Sequence, residues 1–326
     1  MELTFMPYSK FRLLADTEGF EPIIDGFLNR KEFMLLHAAA KTGKSMLALN
    51  IALSISTGRD FLGMETSVGK VLYLQTELTV PALQDRVTAM LNGLPEEVYD
   101  LAQINFLISS NRLMLDRAEG IEAVINEVKK ELPSLLIIDP LYDMHKKNED
   151  NATDMAPLLS DIREIARTCG CAILLIHHQG KKGEGFSTNA GHACRGSSAF
   201  ADVPDSSVSL SKDKEGFSLR GIFRNRTPLD NMRLNFDNEC LTFSGSIDNP
   251  KKKKTREFVL EVIQSSQDGL TKKEIIASLG SSLGIQSSAI QKHLENLRAE
   301  GVLAIEGEFK NTRFLMAKAE GRNSSP

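Results

Sequence analysis

At 326 residues, with 41% hydrophobic and 25% charged residues, the chain has room for two or three ordinary domains and is too apolar to be disordered or collagen-like. It has no run of about 18 uninterrupted apolar residues, and no basic flank followed by an apolar stretch opens it, so neither a membrane span nor a secretory signal is expected. The net charge of −4 is unevenly shared: residues from Asn249 onward carry +4 and those before it −8, a basic tail on an acidic body.

Four cysteines (Cys169, Cys171, Cys194 and Cys240) lack CxxC spacing and fit a reducing compartment, so a soluble, cytoplasmic protein is expected. Strands are predicted at Phe33–His37, Val71–Gln75, Asn105–Ile108, Leu135–Ile138, Ala172–Ile176, Ser206–Leu210 and Leu219–Phe223. Helical patterns fall between them, at Ser45–Ser56, Pro81–Leu91, Gly120–Lys130 and Asp154–Thr168. This alternation predicts an α/β domain over residues 1–246 with a mostly parallel sheet. Residues 247–254, with Pro250 followed by four lysines, read as a basic linker.

Residues 255–318 read as three helices and a hairpin, the pattern of a small winged helix-turn-helix, and 319–326 as a tail. Phe258, Val259, Val262 and Ile263 share one helical face. Thr271 and Glu274 form a capping box ahead of Ile275, Ile276 and Leu279. Ile290, Leu294 and Leu297 mark the third helix, which Gly301 ends.

Ala38-Ala39-Ala40-Lys41-Thr42-Gly43-Lys44-Ser45-Met46 stands between a strand and a helix, as a phosphate-binding loop does. Backbone N–H groups there face phosphates, Lys44 reaches the β- and γ-phosphates, and the Ser45 hydroxyl holds Mg²⁺. ATP and Mg²⁺ are the implied cofactors. Ala38 replaces the motif's first glycine and is expected to strain the loop. Asp139 closes an apolar strand and can bind Mg²⁺ directly or through water. Glu77 closes another, and is the best candidate to position attacking water, because Pro140 rather than an acid follows Asp139.

In their order, Gly43-Lys44-Ser45, Tyr73-Leu74-Gln75-Thr76-Glu77, Ile137-Ile138-Asp139-Pro140 and Ile176-His177-His178-Gln179-Gly180-Lys181 resemble the RecA-like P-loop ATPases of the RepA-type hexameric replicative helicases. Pro22-Ile23-Ile24-Asp25-Gly26-Phe27-Leu28 extends the likeness, which covers about residues 20–245. The family belongs to plasmids, phages and other mobile elements. It implies a homo-oligomeric, hexameric ring that threads one DNA strand and unwinds the duplex with ATP. By position, Lys44 and Ser45 resemble its phosphate-loop pair, Glu77 its catalytic acid, Asp139 its magnesium acid and His178 its γ-phosphate sensor. Adjacent histidines at a strand end also allow metal ligation with His192 and Cys194, although only a His-x-Cys pairing is present.

The glycine-rich segment from Gly180 to Ser198 carries several cations and would project into a ring's channel to touch DNA phosphates. Arg224-Asn225-Arg226 ends a late strand with the spacing of residues that reach a neighbour's γ-phosphate, with Arg226 the first choice for the arginine finger and Arg224 the second. Arg195-Gly196-Ser197-Ser198-Ala199 also resembles an arginine-bearing stretch of that family, which makes Arg195 the third. In the tail domain, Ser287, Ser288, Gln291, Lys292 and Asn296, with Lys310, Asn311 and Arg313 near the wing, are placed to meet DNA. The implied partners are single-stranded DNA and, through the wing, double-stranded DNA. Winged helices also dock proteins, and the RepA-like helicases need not carry one. Besides a DNA motor, two readings stay open: an ATP-regulated DNA-binding regulator or helicase loader without unwinding, and a signalling ATPase with a protein-docking wing.

Overall fold

The computed structural model describes residues 5–17, 21–92, 94–178, 197–245, 258–266, 269–283, 287–299, 302–306 and 313–316. The chain divides into two units, Met1–Ile247 and Asp248–Pro326. The first runs α1 (Tyr8–Thr17), β1 (Pro22–Ile24), β2 (Leu28–Asn29), β3 (Phe33–Ala38), α2 (Lys44–Thr57), β4 (Val71–Gln75), α3 (Val80–Leu91), α4 (Glu96–Asn105) and β5 (Phe106–Ser109). It continues with α5 (Ala118–Glu131), β6 (Leu135–Asp139), α6 (Ala152–Cys169), β7 (Ala172–His178), α7 (Ala199–Asp202), β8 (Ser206–Asp213), β9 (Gly216–Phe223), β10 (Leu229–Asp237) and β11 (Thr242–Ser244).

Nine strands form one sheet in the order β11-β10-β9-β8-β3-β7-β6-β4-β5. The strands from β8 to β5 in that order are parallel. Strands β9, β10 and β11 extend the sheet antiparallel. Every side chain of β3 is buried. Met34 and Leu36 enter the core on one face of the sheet, Phe33 and Leu35 the core on the other, as the period of two requires. The first core is closed by α2, α3 and α4, the second by α5, α6 and α7. Helix α2 is apolar nearly all round, because it lies between the sheet, α4 and β11, and the left-handed Gly58 (φ 73°) ends it. Helix α6 is amphipathic; it starts where Asn151 Oδ1 accepts the Thr153 N–H (2.9 Å) and stops at left-handed Gly170.

All seven predicted strands are present, β7, β8 and β9 running longer than expected. Helices α1 and α4 and strands β1, β2, β10 and β11 have no counterpart among the expected elements. Asn105, expected to open a strand, instead ends α4, where its side chain donates to the Ser56 carbonyl at 2.9 Å. Strand β10 buries only Met232 and Leu234 among polar neighbours, the half-wet alternation of an outer antiparallel strand.

At the N-terminal end of the parallel strands, Glu32 gathers four donors. Its carboxylate accepts Arg226 Nη1 (2.9 Å) and Nη2 (2.6 Å), the Ser206 hydroxyl (2.6 Å) and the Asn29 N–H (3.0 Å). Arg226 also donates to the Phe27 carbonyl (2.8 Å) and lies over the Phe223 ring. Beside it, Asp205 accepts the Phe33 N–H (3.1 Å) and pairs with Arg163.

The second unit, by itself, has a helical stretch at 258–264 (α8), then β12 (Leu270–Thr271), α9 (Lys272–Leu283), α10 (Ser287–Ala299), β13 (Leu303–Glu306) and β14 (Arg313–Met316). Its antiparallel sheet has the order β12-β14-β13, and Val259, Ile263, Ile275, Leu279, Ile290, Leu294, Leu297 and Leu303 form its core. The predicted capping box is made: the Thr271 N–H donates to Glu274 Oε2 (2.8 Å) and the Glu274 N–H to Thr271 Oγ1 (3.3 Å). Gln291 is half-buried and Arg313 is exposed, donating to the Gly269 carbonyl; Ser287, Ser288, Lys292 and Asn296 lie on α10. Lys310, Asn311 and the lysine run lie outside the described residues. No described helix is long and apolar enough to cross a membrane.

Glu32→Ala would leave a largely buried guanidinium without its carboxylate, so a loss of about 3–5 kcal/mol is expected in urea unfolding of the first unit. Glu32→Gln should lose less.

Candidate functional site

Ala38 ends β3 opposite His178 of β7, and Gln75 of β4 lies opposite Asp139 of β6. Four parallel strands therefore deliver their last residues to one edge, the edge at which open α/β sheets bind ligands. The segment after β3 turns there into α2. Its left-handed residues are Lys41 (φ 61°) and Gly43 (φ 96°), whereas Ala38 is an ordinary strand residue, so the strain expected at Ala38 is not found. The turn needs its conformational freedom further along the loop. Gly43 caps α2 without a side chain, and no side-chain cap takes up the N–H groups of the first turn. Ala39, Ala40 and Lys41 are exposed; Thr42 is buried, and Met46 packs against the core.

Lys44 Nζ donates to the carbonyls of Ala38 (3.1 Å) and Ala39 (3.0 Å). Burial pulls its pKa below the usual lysine value, while the charges of Asp139 and Glu77 push the other way. Asp139 is 3% exposed. The Tyr73 hydroxyl donates to its Oδ2 at 2.5 Å, and its Oδ1 is buried with no hydrogen-bond partner. Burial raises the Asp139 pKa; the Tyr73 and Ser45 hydroxyls oppose that rise. A hydroxyl and a carboxylate with one unsatisfied oxygen are hard donors, and they fit a divalent cation such as Mg²⁺.

Glu77 is exposed just beyond β4, and its charge acts on both Lys44 and Asp139. His178 is half-buried with its ring 5.3 Å from that of Tyr142. Lys44, Ser45, Glu77, Asp139 and His178 thus share one edge. Arg224 and Arg226 do not. The end of β9 lies beside the start of β8, level with the start of β3, about 20 Å from the loop of the same chain at about 3.3 Å per residue. Arg224 is exposed and donates to the Asp202 (3.1 Å) and Pro204 (3.4 Å) carbonyls. Arg195, His192, Cys194 and the segment 180–196 lie outside the described residues. Among the described residues no cluster of three or more His, Cys, Asp and Glu side chains is arranged to hold a metal.

Three residues had no part in the nucleotide site as read from the sequence. Tyr73 is the partner of Asp139. His37 and His177 are neighbours in register beneath the loop, each 1% exposed. Burial, then the charges of His177 and Lys44, pushes His37 down to about 4. His177 stacks on Phe200 at 4.0 Å, and Glu149 Oε1 lies 3.8 Å from its Nδ1 and 3.5 Å from His145 Nε2. A histidine or tyrosine inside an otherwise apolar strand was the available signal.

Residues 4–184, more than half of the chain, match the AAA domain family. The fold is similar to a solved structure described as an ATPase domain, with a TM-score of 0.55 and 15% identity over 74% of this chain and 96% of that one. At that identity the likeness is one of fold: an α/β domain with a mostly parallel central sheet, consistent with a RecA-like core.

Asp139→Asn removes a buried charge whose folded pKa is raised, so the charged form opposes folding at neutral pH. The nucleotide-free variant should melt at or above the wild-type temperature, yet calorimetry should record at least a tenfold loss of Mg²⁺-dependent ATP affinity. For His37 the sign is opposite. The folded imidazole resists protonation down to about 4, so stability falls as pH drops from about 6.5 toward 4 while the unfolded chain takes up the proton. His37→Gln should flatten part of that slope in urea midpoints measured at pH 7 and pH 5.

Proposed function

The chain belongs to the AAA domain family, and on that premise we propose that it is an ATP-driven DNA motor, a RepA-like ring helicase acting in replication of a plasmid, phage or other mobile element. The observation that carries the reading is the convergence of Lys44, Ser45, Glu77 and Asp139 at one sheet edge, with the Asp139 Oδ1 buried and open.

In this reading Lys44 leaves the Ala38 and Ala39 carbonyls for the β- and γ-phosphates, and the N–H groups at the start of α2 cradle them. Ser45 and Asp139 would hold Mg²⁺, which when bound neutralises phosphate charge. Glu77 orients the attacking water, and His178, beside Ala38, senses the γ-phosphate. Arg226, remote from the loop of its own chain, would serve a neighbour's loop by trading Glu32 for phosphate. Arg224 is the second choice and Arg195 the third. Phe5, Tyr8 and Phe11, which keep 87%, 77% and 57% of their surface exposed, favour assembly with further copies. We read the second unit as a winged helix: three helices and a three-stranded sheet support that reading. It also supports the alternative in which ATP controls a DNA-bound regulator or loader without unwinding.

Forked DNA separates the two readings. The motor displaces a strand with ATP and Mg²⁺ and hydrolyses faster on single-stranded DNA; duplex binding without displacement assigns the regulator. Lys44→Ala and Arg226→Gln should each be inactive, and mixing them should restore hydrolysis, since Lys44→Ala subunits still offer Arg226 to intact loops. A mixture that stays inactive, with both variants folded and oligomeric, removes the finger role from Arg226.

A further inference from the structure

Strand β11 closes the first unit and lies against α2, the helix that starts at the phosphate loop. A single side chain fixes its register there. Asn50, mid-helix, accepts the Phe243 N–H on Oδ1 (2.6 Å) and donates from Nδ2 to the Leu241 carbonyl (3.2 Å). These two hydrogen bonds, one to the strand and one to Leu241 just before it, set Phe243 behind the loop. A Cβ built on Gly43 would stand 3.3 Å from Phe243 Cζ. The ring is 7% exposed, meets Phe217 edge-on at a centroid distance of 5.2 Å and lies tilted against Phe236 at 4.7 Å. Rings from β9, β10 and β11 thus form a rigid floor with its rim under Gly43.

Gly43 holds φ at 96° and is the hinge between the loop and α2. A glycine without a neighbour has broad freedom at that dihedral, and any wandering would turn the first N–H groups of α2 away from an anion. The geometry points to Phe243 as a positioning residue of the nucleotide site. It touches no nucleotide; it acts through Gly43, blocking the space into which the hinge would relax, so that the loop meets phosphate already shaped. The antiparallel end of the sheet therefore serves the loop as a back wall. This rests on the reading of residues 38–46 as a phosphate loop.

The test is calorimetric titration of the full-length protein with ADP and Mg²⁺, read beside thermal melting, with the ATP KM and kcat measured in parallel. Phe243→Ala should weaken ADP binding about tenfold and raise KM with kcat largely kept. Phe243→Leu, which refills part of the volume, should recover to within about threefold of wild type. Phe236→Ala empties the same aromatic cluster one ring away from Gly43; it should lower the melting temperature and weaken ADP binding clearly less than Phe243→Ala does. If Phe243→Ala does not fold, Phe243→Leu against Phe236→Leu carries the comparison, and the former should lose more affinity. Equal losses at positions 243 and 236, or no loss at 243, overturn the proposal. Wild-type protein that fails to bind ADP overturns instead the phosphate-loop reading beneath it.

Discussion

A strand with no wet side chain needs cover on both faces and partners on both edges, and Phe33–Ala38 is such a strand. Once β3 is central, β7 and β8 must lie beside it, α2, α3 and α4 must cover one face and α5, α6 and α7 the other. Its last residue then opens onto the edge where β4, β6 and β7 also end. The closeness of Lys44 and Asp139, which are 95 positions apart in sequence, follows from that burial. Neither residue has to be brought by a flexible segment.

The same burial governs the electrostatics. Lys44, Asp139, His37 and His177 share a region of little water, where each charge is felt by the next. Desolvation is the largest influence on His37, Lys44 and Asp139 alike, and it disfavours the charged form of each. The lysine settles this partly with two backbone carbonyls and the aspartate with the Tyr73 hydroxyl. The lysine's arrangement leaves room for a stronger partner, since carbonyl dipoles hold an ammonium less tightly than an anionic oxygen does.

The parallel strands were legible because full burial writes a continuous apolar run, as in Leu135–Ile138, and the turn from β3 into α2 because a glycine, Gly43, stands where a left-handed residue precedes the helix. The outer sheet was harder to read. Strand β10 mixes Asp230, Asn231, Arg233 and Asn235 with its two core residues, and β11 is three residues long. Helix α4 buries only Ala102 and leaves Tyr99, Leu101 and Ile104 exposed, so its apolar residues do not mark a core face. Ala38 misled for a local reason: the motif's usual glycine suggested a left-handed residue at its start, but the tight turn falls on Lys41 and Gly43. The pairing of Arg226 with Glu32 spans 194 positions, and no periodicity of either segment announces it.

That long span bears on how the chain is made. Glu32 leaves the ribosome early, and the residues that donate to it are made at very different times: Asn29 just before it, Ser206 and Arg226 only after most of the parallel strands have been synthesised. Until then water fills the places on the Glu32 carboxylate that Ser206 and Arg226 later take. The foot of the sheet therefore gains its full set of donors only when the late, antiparallel part of the first unit is in place.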